Sequence, residues 1–220
     1  MVFFKDKVAI MRFLRCISFF ILMYGFCYAE ENVLIPPSDG REERAKFVSS
    51  LIKEGDIGAE IGVWYGVFAH NVLLKKNPSK LYLIDPWQYG LQTDVELDPT
   101  PEKQQNRDLT YEIVRQSFSS YKNAEVVRLK SEDAVNLFKD DYFDYVYIDG
   151  EHSYAAVTRD LTNYFPKIKV GGYLIGDDYG WAGIMPAVQD FLKLHPGEYI
   201  FPVDPYLGES GGQFVIQRTK

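Results

Sequence analysis

Ionisable side chains follow two apolar runs of the chain at the points where each run stops. Asp149, Glu151 and His152 come after the run FDYVYI, and the pair Asp177 and Asp178 comes after GGYLIG. Carboxylates brought together in one site repel each other unless they share a proton or bind a cation. A hard divalent ion such as Mg²⁺ takes oxygen ligands of this kind, and an imidazole titrates near neutral pH, which suits a general base. The pattern predicts a site that removes a proton from a bound molecule, with or without a metal ion.

The candidate catalytic residues are His152, Glu151 and Asp149. His152 and Glu151 are the nearest candidates for the general base, because a hydroxyl that attacks as a nucleophile must lose its proton. Glu151 would serve as the base if a metal ion already acidified that hydroxyl. The alternative without chemistry is that His152 caps a helix beginning at Ser153, or only orders the loop.

A glycine loop follows the first apolar run, in the segment GAEIGVWYGVFA. Gly62 and Gly66 would let the backbone approach a ligand closely, but Glu60 stands where a dinucleotide motif has its first glycine. This argues against a nicotinamide oxidoreductase, and no Gly-Lys-Ser/Thr follows to make a Walker loop. A carboxylate there would repel a pyrophosphate, whereas it suits a ligand that carries a cation or hydroxyl and amine donors. S-adenosylmethionine is such a ligand.

Asp85 ends the next apolar run, LYLIDPW, about twenty residues after the loop, where an acid can accept both hydroxyls of a ribose. Ser131 begins another strand-to-helix turn, where it can cap the helix while nearby groups reach the edge of a bound ligand. The alternative is a helix cap whose neighbouring acids are solvated. We expect Glu60 and Asp85 to border a solvent-facing crevice, although a tight turn with a solvated Glu60 is the alternative. The predicted cofactor-binding residues are Glu60, Gly62, Trp64, Gly66, Asp85, Trp87, Ser131, Glu132 and Asp149.

Short apolar runs alternate with helical stretches from Ile57 onward. The runs are IGAEIGV, LYLIDPW, AEVVRLK, FDYVYIDG and GGYLIGDDY, followed by the pair EYIFPVD and GQFVIQRT with no helix between them. Alternation predicts parallel strands with right-handed crossovers, and the final pair predicts an antiparallel hairpin at a sheet edge. The predicted fold class is α/β: a Rossmann-like three-layer sandwich with a mostly parallel seven-stranded sheet and a C-terminal antiparallel hairpin. Ligands of such sheets bind beyond the carboxyl ends of the strands, where the ionisable groups fall.

The motifs EIGVWYG, Asp85 and DYVYIDGEHSYAAVTRDL followed by KVGGYLIGDDYG resemble the class I S-adenosylmethionine-dependent methyltransferases over residues 55–218. More narrowly, they resemble the small-molecule O-methyltransferase-like branch with an IDGxHSY motif after strand four. The resemblance implies methyl transfer from S-adenosylmethionine to a small-molecule acceptor, most readily a hydroxyl oxygen. In metal-dependent members it implies an ion, most plausibly Mg²⁺, held by Asp149, Asp177 and Asp178. Many relatives carry His at the position of Asp177, and consecutive strand residues face opposite sides, so both acids can bind only if the strand has ended.

The composition limits the kinds of molecule that the chain can bind. The 220 residues are 46% hydrophobic with a net charge of −7, and Lys and Arg form no cluster after the first fifteen residues. Nucleic-acid binding depends on such clusters, so we expect a small-molecule acceptor and no nucleic acid. A second hypothesis, from another class, is an exported or membrane-anchored binding module that keeps the fold without turnover.

The N-terminal segment MRFLRCISFFILMYGFCYAEEN has basic residues, an apolar stretch, and Tyr28 and Ala29 before acidic residues. This order is typical of a secretory signal cleaved after Ala29, with an uncleaved anchor or a buried helix as alternatives. Both cysteines of the chain, Cys16 and Cys27, lie within it, so the remainder has no disulfide framework. We expect an exported or membrane-anchored protein that meets the membrane only through this segment, or a cytoplasmic one if the segment is not a signal.

The chain is therefore divided into three parts. Residues 1–29 are the signal peptide or anchor, residues 30–54 are a linker and lead-in helix, and residues 55–220 are the methyltransferase domain. The lead-in helix is predicted at 41–53 from the helical spacing of its apolar residues. Residues 88–107 are polar and irregular, and they predict a lid or a disordered loop.

Expression in a cell with a working export pathway should yield a product that begins at Glu30, or a membrane-bound form that retains the apolar stretch. Cell fractionation followed by intact mass measurement distinguishes the two forms. As a control, Phe20→Arg combined with Leu22→Arg should block both routes, because two charges interrupt the apolar stretch. A soluble cytosolic product of the unaltered chain with Met1 intact would contradict this prediction.

Overall fold

The computed structural model describes residues 41–88, 101–197, 199–200 and 212–220. The predicted signal segment at 1–29, the linker at 30–40 and most of the predicted lid, at 89–100, lie outside the described residues. So does the turn of the predicted C-terminal hairpin, at 201–211. Within the described residues, none of the helices is both long and apolar enough to cross a membrane.

The described residues form one sheet of seven strands, and six helices pack on its two faces. The strands are β1 (Ile57–Ile61), β2 (Lys80–Ile84), β3 (Ala124–Val127), β4 (Phe143–Ile148), β5 (Ile168–Gly176), β6 (Tyr199–Ile200) and β7 (Phe214–Arg218). The α-helices are α1 (Arg41–Leu51), α2 (Val67–Lys76), α3 (Pro101–Ser117), α4 (Ser131–Ala134), α5 (Tyr154–Tyr164) and α6 (Ile184–Leu194). Short 3₁₀ turns follow α4 and α5, at Val135–Leu137 and Phe165–Lys167.

The strand order is β3-β2-β1-β4-β5-β7-β6. Neighbours from β3 to β5 pair in parallel, whereas β7 is antiparallel to both β5 and β6. Six strands have four or more residues, and β6 has only two. The predicted Rossmann-like α/β fold with a C-terminal antiparallel pair is confirmed.

The two faces of the sheet have separate cores, because side chains alternate along each strand. In β4, Val146 and Ile148 face the layer of α5 and α6. Tyr145 and Tyr147 face the layer of α1, α2 and α3, where the Tyr147 ring stacks on Phe68 at 3.9 Å between centroids. Because β4 is buried on both faces, its sequence is a continuous apolar run rather than an alternating one.

The carboxyl ends of four parallel strands lie level with one another. Each of these strands is followed by a residue whose backbone amide adds one more hydrogen bond to the ladder. The four bonds run from Gly62 to Ile84 (2.9 Å), Asp85 to Val127 (3.2 Å), Asp149 to Ile61 (2.7 Å) and Asp177 to Ile148 (3.0 Å). The predicted functional residues that follow β1, β2, β4 and β5 are thus brought to one edge of the sheet.

Two helices differ from the sequence prediction: α1 contributes to the core, and α3 begins earlier than expected. The lead-in helix α1 packs on α2 and buries Ala45 and Val48 completely, so it contributes to the core. Residues 101–107, predicted to be irregular, form the first two turns of α3. The buried apolar residue of this helix, Val114, lies in its second half. The polar first half therefore showed no helical pattern.

Gly62 has a φ of +87°, and a Cβ built on it would lie 2.0 Å from the carbonyl oxygen of Asp149. Gly171 has a similar φ of +88° but nothing within 4 Å of such a Cβ. Both Ala substitutions carry the strain of a left-handed residue, about 1 kcal/mol, but only Gly62→Ala also forces β1 and β4 apart. We expect Gly62→Ala to lower the free energy of unfolding by about 2 kcal/mol more than Gly171→Ala, measured by urea denaturation. Equal losses would contradict the close approach at Gly62.

Candidate active site

A crevice, here called the cofactor crevice, lies beyond the carboxyl ends of β1, β2 and β4. Its lining includes Gly62, Trp64, Asp85, Trp87, Lys130, Ser131, Glu132, Glu151, Arg159 and Asp160. A second crevice, here called the acidic crevice, shares Gly62, Trp64, Asp85 and Gly150 with the first. It continues to Arg41, Arg44, Asp149, His152, Asp178 and Trp181. All of the predicted cofactor-binding residues except Glu60 and Gly66 line one or both crevices.

Glu60 and Gly66 lie outside both crevices for different reasons. Glu60 belongs to β1 and points into the layer of α1 and α2, where it is only 2% exposed and its Oε2 has no hydrogen-bond partner. Burial, with the charge of Asp149 next, raises the pKa of Glu60 well above its usual range. Gly66 begins α2 in a left-handed conformation, and a Cβ there would lie 2.6 Å from the ring of Phe118. The expectation that Glu60 borders the crevice is therefore wrong.

Asp85 organises the glycine loop. Its Oδ2 accepts hydrogen bonds from the amides of Val63 (2.9 Å) and Trp64 (3.0 Å), and its Oδ1 accepts one from Trp87 (2.6 Å). Trp64 and Trp87 both have positive φ, at 53° and 42°, a conformation that costs energy for a non-glycine residue. Trp87 Nε1 also donates to the Trp64 carbonyl oxygen at 3.0 Å. One carboxylate thus holds both tryptophans and keeps unused acceptor capacity beside the crevice.

The far end of the cofactor crevice contains an acid that the sequence did not single out. Asp160 of α5 is 3% exposed, and its Oδ1 accepts a hydrogen bond from Ser131 Oγ at 2.6 Å. Burial raises the pKa of Asp160 to about 6. Tyr164 donates to the Ser131 carbonyl oxygen at 2.9 Å, and Glu132 pairs with Arg159 at 2.8 Å. Ser131 is the first residue of α4 rather than its cap, because the cap position belongs to the preceding residue.

Three side chains meet in the acidic crevice. Ligand atoms of Asp149, His152 and Asp178 all lie within 4.8 Å of one another. His152 Nε2 is 3.6 Å from both Asp149 Oδ1 and Asp178 Oδ2, and it is buried without a hydrogen bond. Burial lowers the pKa of His152, but the carboxylates of Asp149, Asp178 and Asp177 outweigh burial and raise it. The imidazole also lies edge-on to Trp181, with centroids 4.8 Å apart.

The helix after His152 is capped by another residue. Ser153 Oγ accepts a hydrogen bond from the Ala156 amide at 3.3 Å, so the alternative in which His152 caps this helix is wrong. Ser153 also donates to Glu151 Oε1 at 2.6 Å. Glu151 lines the cofactor crevice rather than the acidic crevice. The geometry thus favours His152 over Glu151 as a base near the two carboxylates.

Asp177 is separated from the group with which it was predicted to bind a metal. β5 ends at Gly176, and Asp178 has a φ of 51°, so the two acids lie on a turn. Asp178 faces the acidic crevice, whereas Asp177 is 2% exposed and forms an ion pair with Arg44 of α1. Burial, with the charge of Asp149 next and Arg44 opposing them, raises the pKa of Asp177 to about 7. The group whose ligand atoms lie within 4.8 Å of one another contains His152 and not Asp177, while metal binding by Asp149, Asp177 and Asp178 stays a prediction.

Solved structures share this architecture. They include the O-methyltransferase NovP, with 21% identity, 83% of this chain and 79% of that chain covered, and a TM-score of 0.55. An rRNA methylase from Streptococcus thermophilus has 11% identity, coverage of 81% and 95%, and a TM-score of 0.56. A Streptococcus mutans protein described as a methyltransferase, solved in complex with SAH, has 12% identity, coverage of 82% and 97%, and a TM-score of 0.51. At these identities the likeness shows the fold alone, a Rossmann-like fold that these three structures share.

A family model described as a methyltransferase domain matches residues 59–179. This is more than half of the chain, and the chain belongs to that family of methyltransferase domains. Among curated proteins, Uncharacterized protein R132 of Acanthamoeba polyphaga mimivirus is 36% identical over 61 residues, or 26% of this chain and 28% of that protein. The chain thus spans less than a third of the length of this relative.

The buried acid Asp160 makes the stability of the protein depend on pH. Its folded pKa of about 6 lies above the ordinary 3.8, so between these values the unfolded chain ionises while the folded protein keeps the proton. Stability should therefore fall by about 2–3 kcal/mol as pH rises through this window. Asp160→Asn keeps an acceptor for Ser131 and should remove the part of this dependence that Asp160 contributes, so its profile should be flatter than that of wild type in urea unfolding series from pH 4 to 7. Asp133→Asn, an exposed acid of α4, is the control. Parallel profiles for wild type and Asp160→Asn would contradict the assignment.

Proposed function

We propose that this chain transfers a methyl group from S-adenosylmethionine to a hydroxyl oxygen of a small molecule bound in the acidic crevice. The observation that carries the proposal is the continuity of the two crevices, which share the walls at Gly62, Trp64, Asp85 and Gly150. A cofactor in the first crevice and an acceptor in the second would meet at these residues. The group of Asp149, His152 and Asp178 stands directly beside that meeting point.

The residues present fit S-adenosylmethionine. Asp85 has acceptor capacity for hydroxyl groups on one side of the cofactor crevice, and Ser131, Glu132 and Asp160 offer acceptors for an amine at the other. Asp149, at the acidic end, would attract a positive charge. S-adenosylmethionine, when bound, supplies an electrophilic methyl group on a sulfonium. The protein would hold the two molecules in line and exclude water.

His152 is the residue we assign to proton removal. Its Nε2 has no hydrogen-bond partner and lies between two carboxylates that stabilise its charged form. An imidazole that lies between two carboxylates can accept the proton of the acceptor hydroxyl as its oxygen attacks. Trp181 packs against the ring in an edge-on contact, with centroids 4.8 Å apart.

The donor atoms of Asp149, His152 and Asp178 suit a divalent ion, and the Mg²⁺ expected from the sequence stays a prediction. Ligand atoms about 2.1 Å from one ion lie about 3.0–3.6 Å apart at angles of about 90–120°. The distances of 3.6 Å from His152 Nε2 to the two carboxylate oxygens reach the upper end of this range, and the three ligand atoms together lie within 4.8 Å of one another. The side chains would therefore have to move closer together to bind one ion. Because one donor is nitrogen, Mn²⁺, Fe²⁺ or Zn²⁺ suits the group better than Mg²⁺, which prefers oxygen. A bound ion would act as a Lewis acid toward the acceptor hydroxyl.

The acceptor is expected to be small and not a nucleic acid. The net charge of −7 opposes binding of a phosphate backbone, and Asp149 and Asp178 line the acceptor side. Trp181 is 47% exposed at this crevice and offers an apolar surface to a flat ring or a sugar face. These features support a neutral or cationic small molecule.

The first measurement is calorimetric binding of S-adenosylmethionine, followed by a screen of hydroxylated small molecules with a labelled methyl donor. His152→Ala should lower turnover about 100-fold or more while changing cofactor affinity less than about threefold, because the imidazole lies on the acceptor side. Asp149→Asn and Asp178→Asn should also impair turnover more than cofactor affinity. Asp133→Asn serves as the matched surface control.

Treatment with a chelator distinguishes the metal-dependent mechanism from the metal-free mechanism. If a divalent ion takes part, a chelator should abolish turnover and Mn²⁺ should restore it, with Asp149→Asn and Asp178→Asn requiring more ion. Full turnover in chelator would instead leave His152 as a metal-free base. The proposal fails if neither a chelator nor His152→Ala alters a demonstrated rate. Absence of cofactor binding would favour the non-catalytic binding module.

A further inference from the structure

Asp160 is a buried acid that holds its two carboxylate oxygens in different surroundings. The residue is 3% exposed, and Oδ1 accepts a hydrogen bond from Ser131 Oγ at 2.6 Å. The Ser131 carbonyl oxygen accepts a hydrogen bond from Tyr164 at 2.9 Å, which holds the turn that carries the hydroxyl. The hydroxyl of Ser131 therefore fixes Oδ1, and Oδ2 is the oxygen that is left to face another group.

Oδ2 lies beside an open place at Gly150. A Cβ built on this glycine would lie 4.0 Å from Asp160 Oδ2 and 3.7 Å from Ile61 Cγ2. These are ordinary van der Waals distances, so the protein leaves room there for one more atom. Gly150, Ile61 and Asp160 all line the cofactor crevice. An atom of a bound molecule can thus contact an apolar side chain and lie close to a carboxylate oxygen.

At neutral pH this oxygen is an acceptor. Burial raises the pKa of Asp160 to about 6, with the Ser131 hydroxyl and then Arg159 opposing the rise, and with Glu132 and Glu151 adding to it. Above this value the carboxylate is ionised and has no proton to donate. A buried charged oxygen gains from an N–H donor, whereas a second acceptor placed against it is repelled.

We propose that Asp160 selects the base of the methyl donor: Oδ2 accepts a hydrogen bond from the 6-amino group of adenine while the ring lies over Gly150 against Ile61. Hypoxanthine has an oxygen in place of this amino group and would set two acceptors against each other. Glu132, a second acid of this crevice, already pairs with Arg159 at 2.8 Å. This inference rests on the proposed function, because it assigns one part of S-adenosylmethionine to this end of the crevice.

The test compares S-adenosylhomocysteine with S-inosylhomocysteine, by calorimetric binding to the full chain at about pH 7.5. Wild type should bind the adenosyl compound at least about tenfold more tightly, because the inosyl compound leaves the Asp160 carboxylate without a donor. Asp160→Asn keeps an oxygen for Ser131 and turns an NH₂ group toward Gly150. The preference for the adenosyl compound should therefore fall at least about tenfold, with the inosyl compound gaining affinity.

Two further variants identify the origin of the preference. Glu132→Gln makes the same acid-to-amide change on the neighbouring acid and should leave the ratio of the two affinities within about threefold of wild type. Gly150→Ala meets no clash, so it should fold, but its methyl group fills the open place and should weaken the adenosyl compound at least about tenfold. Folding of each variant is checked by circular dichroism.

The outcomes distinguish this inference from the proposed function. Equal affinity of wild type for the two compounds, a result that needs no variant, would overturn the inference and leave methyl transfer from S-adenosylmethionine intact. An unchanged ratio in folded Asp160→Asn would do the same, as would a fall in Glu132→Gln as large as that in Asp160→Asn. Binding of neither compound to wild type would remove the proposed function together with the inference.

Discussion

Four backbone hydrogen bonds that continue the sheet one residue past its parallel strands control the geometry of the site. They hold Gly62, Asp85, Asp149 and Asp177 level at the carboxyl edge. The Asp149 carbonyl lies against Gly62, so the loop after β1 and the loop after β4 are in direct contact. The cofactor crevice and the acidic crevice are walled by these loops. Their relative position is therefore fixed by the sheet and not by mobile segments.

The same edge collects carboxylates, and each is compensated in its own way. Asp85 receives three backbone amides, and Asp177 receives the Arg44 guanidinium. Glu60 is buried with no hydrogen-bond partner for Oε2, and burial, with the charge of Asp149 next, raises its pKa well above the usual range although Arg41 and the Ala69 amide oppose the rise. Asp149 and Asp178 share the imidazole of His152. Burial raises the pKa of Asp178, and the charges of His152, Arg44 and Arg41 oppose this rise. Among these acids, Asp149 and Asp178 are thus the pair that lines the acidic crevice beside His152.

The strands and the level at which they end could be predicted from the sequence, because continuous apolar runs followed by acids mark buried parallel strands. Asp149, His152 and Asp178 were recognised by their position after those runs. Arg44 could not be recognised, because its partner lies far away in the chain and only the folded sheet brings them together. Asp160 lies in the middle of an amphipathic helix, where an acidic residue is expected to be exposed to solvent. The first half of α3 was missed because residues 103–109 include no buried apolar side chain that would produce a helical pattern.

The central position of β1 has a consequence for the order of folding. β1 pairs on one side with β2, which follows it closely, and on the other side with β4, whose Asp144 accepts from the Ile57 amide across 87 residues. During synthesis, β1, β2 and β3 can assemble while the other edge of β1 still lacks its neighbour. An unpaired apolar edge in the middle of a future sheet is prone to association with other chains. Pairing of β4 with β1 closes that edge. Because this pairing joins residues that lie far apart in the chain, we expect it to be the slow step of folding.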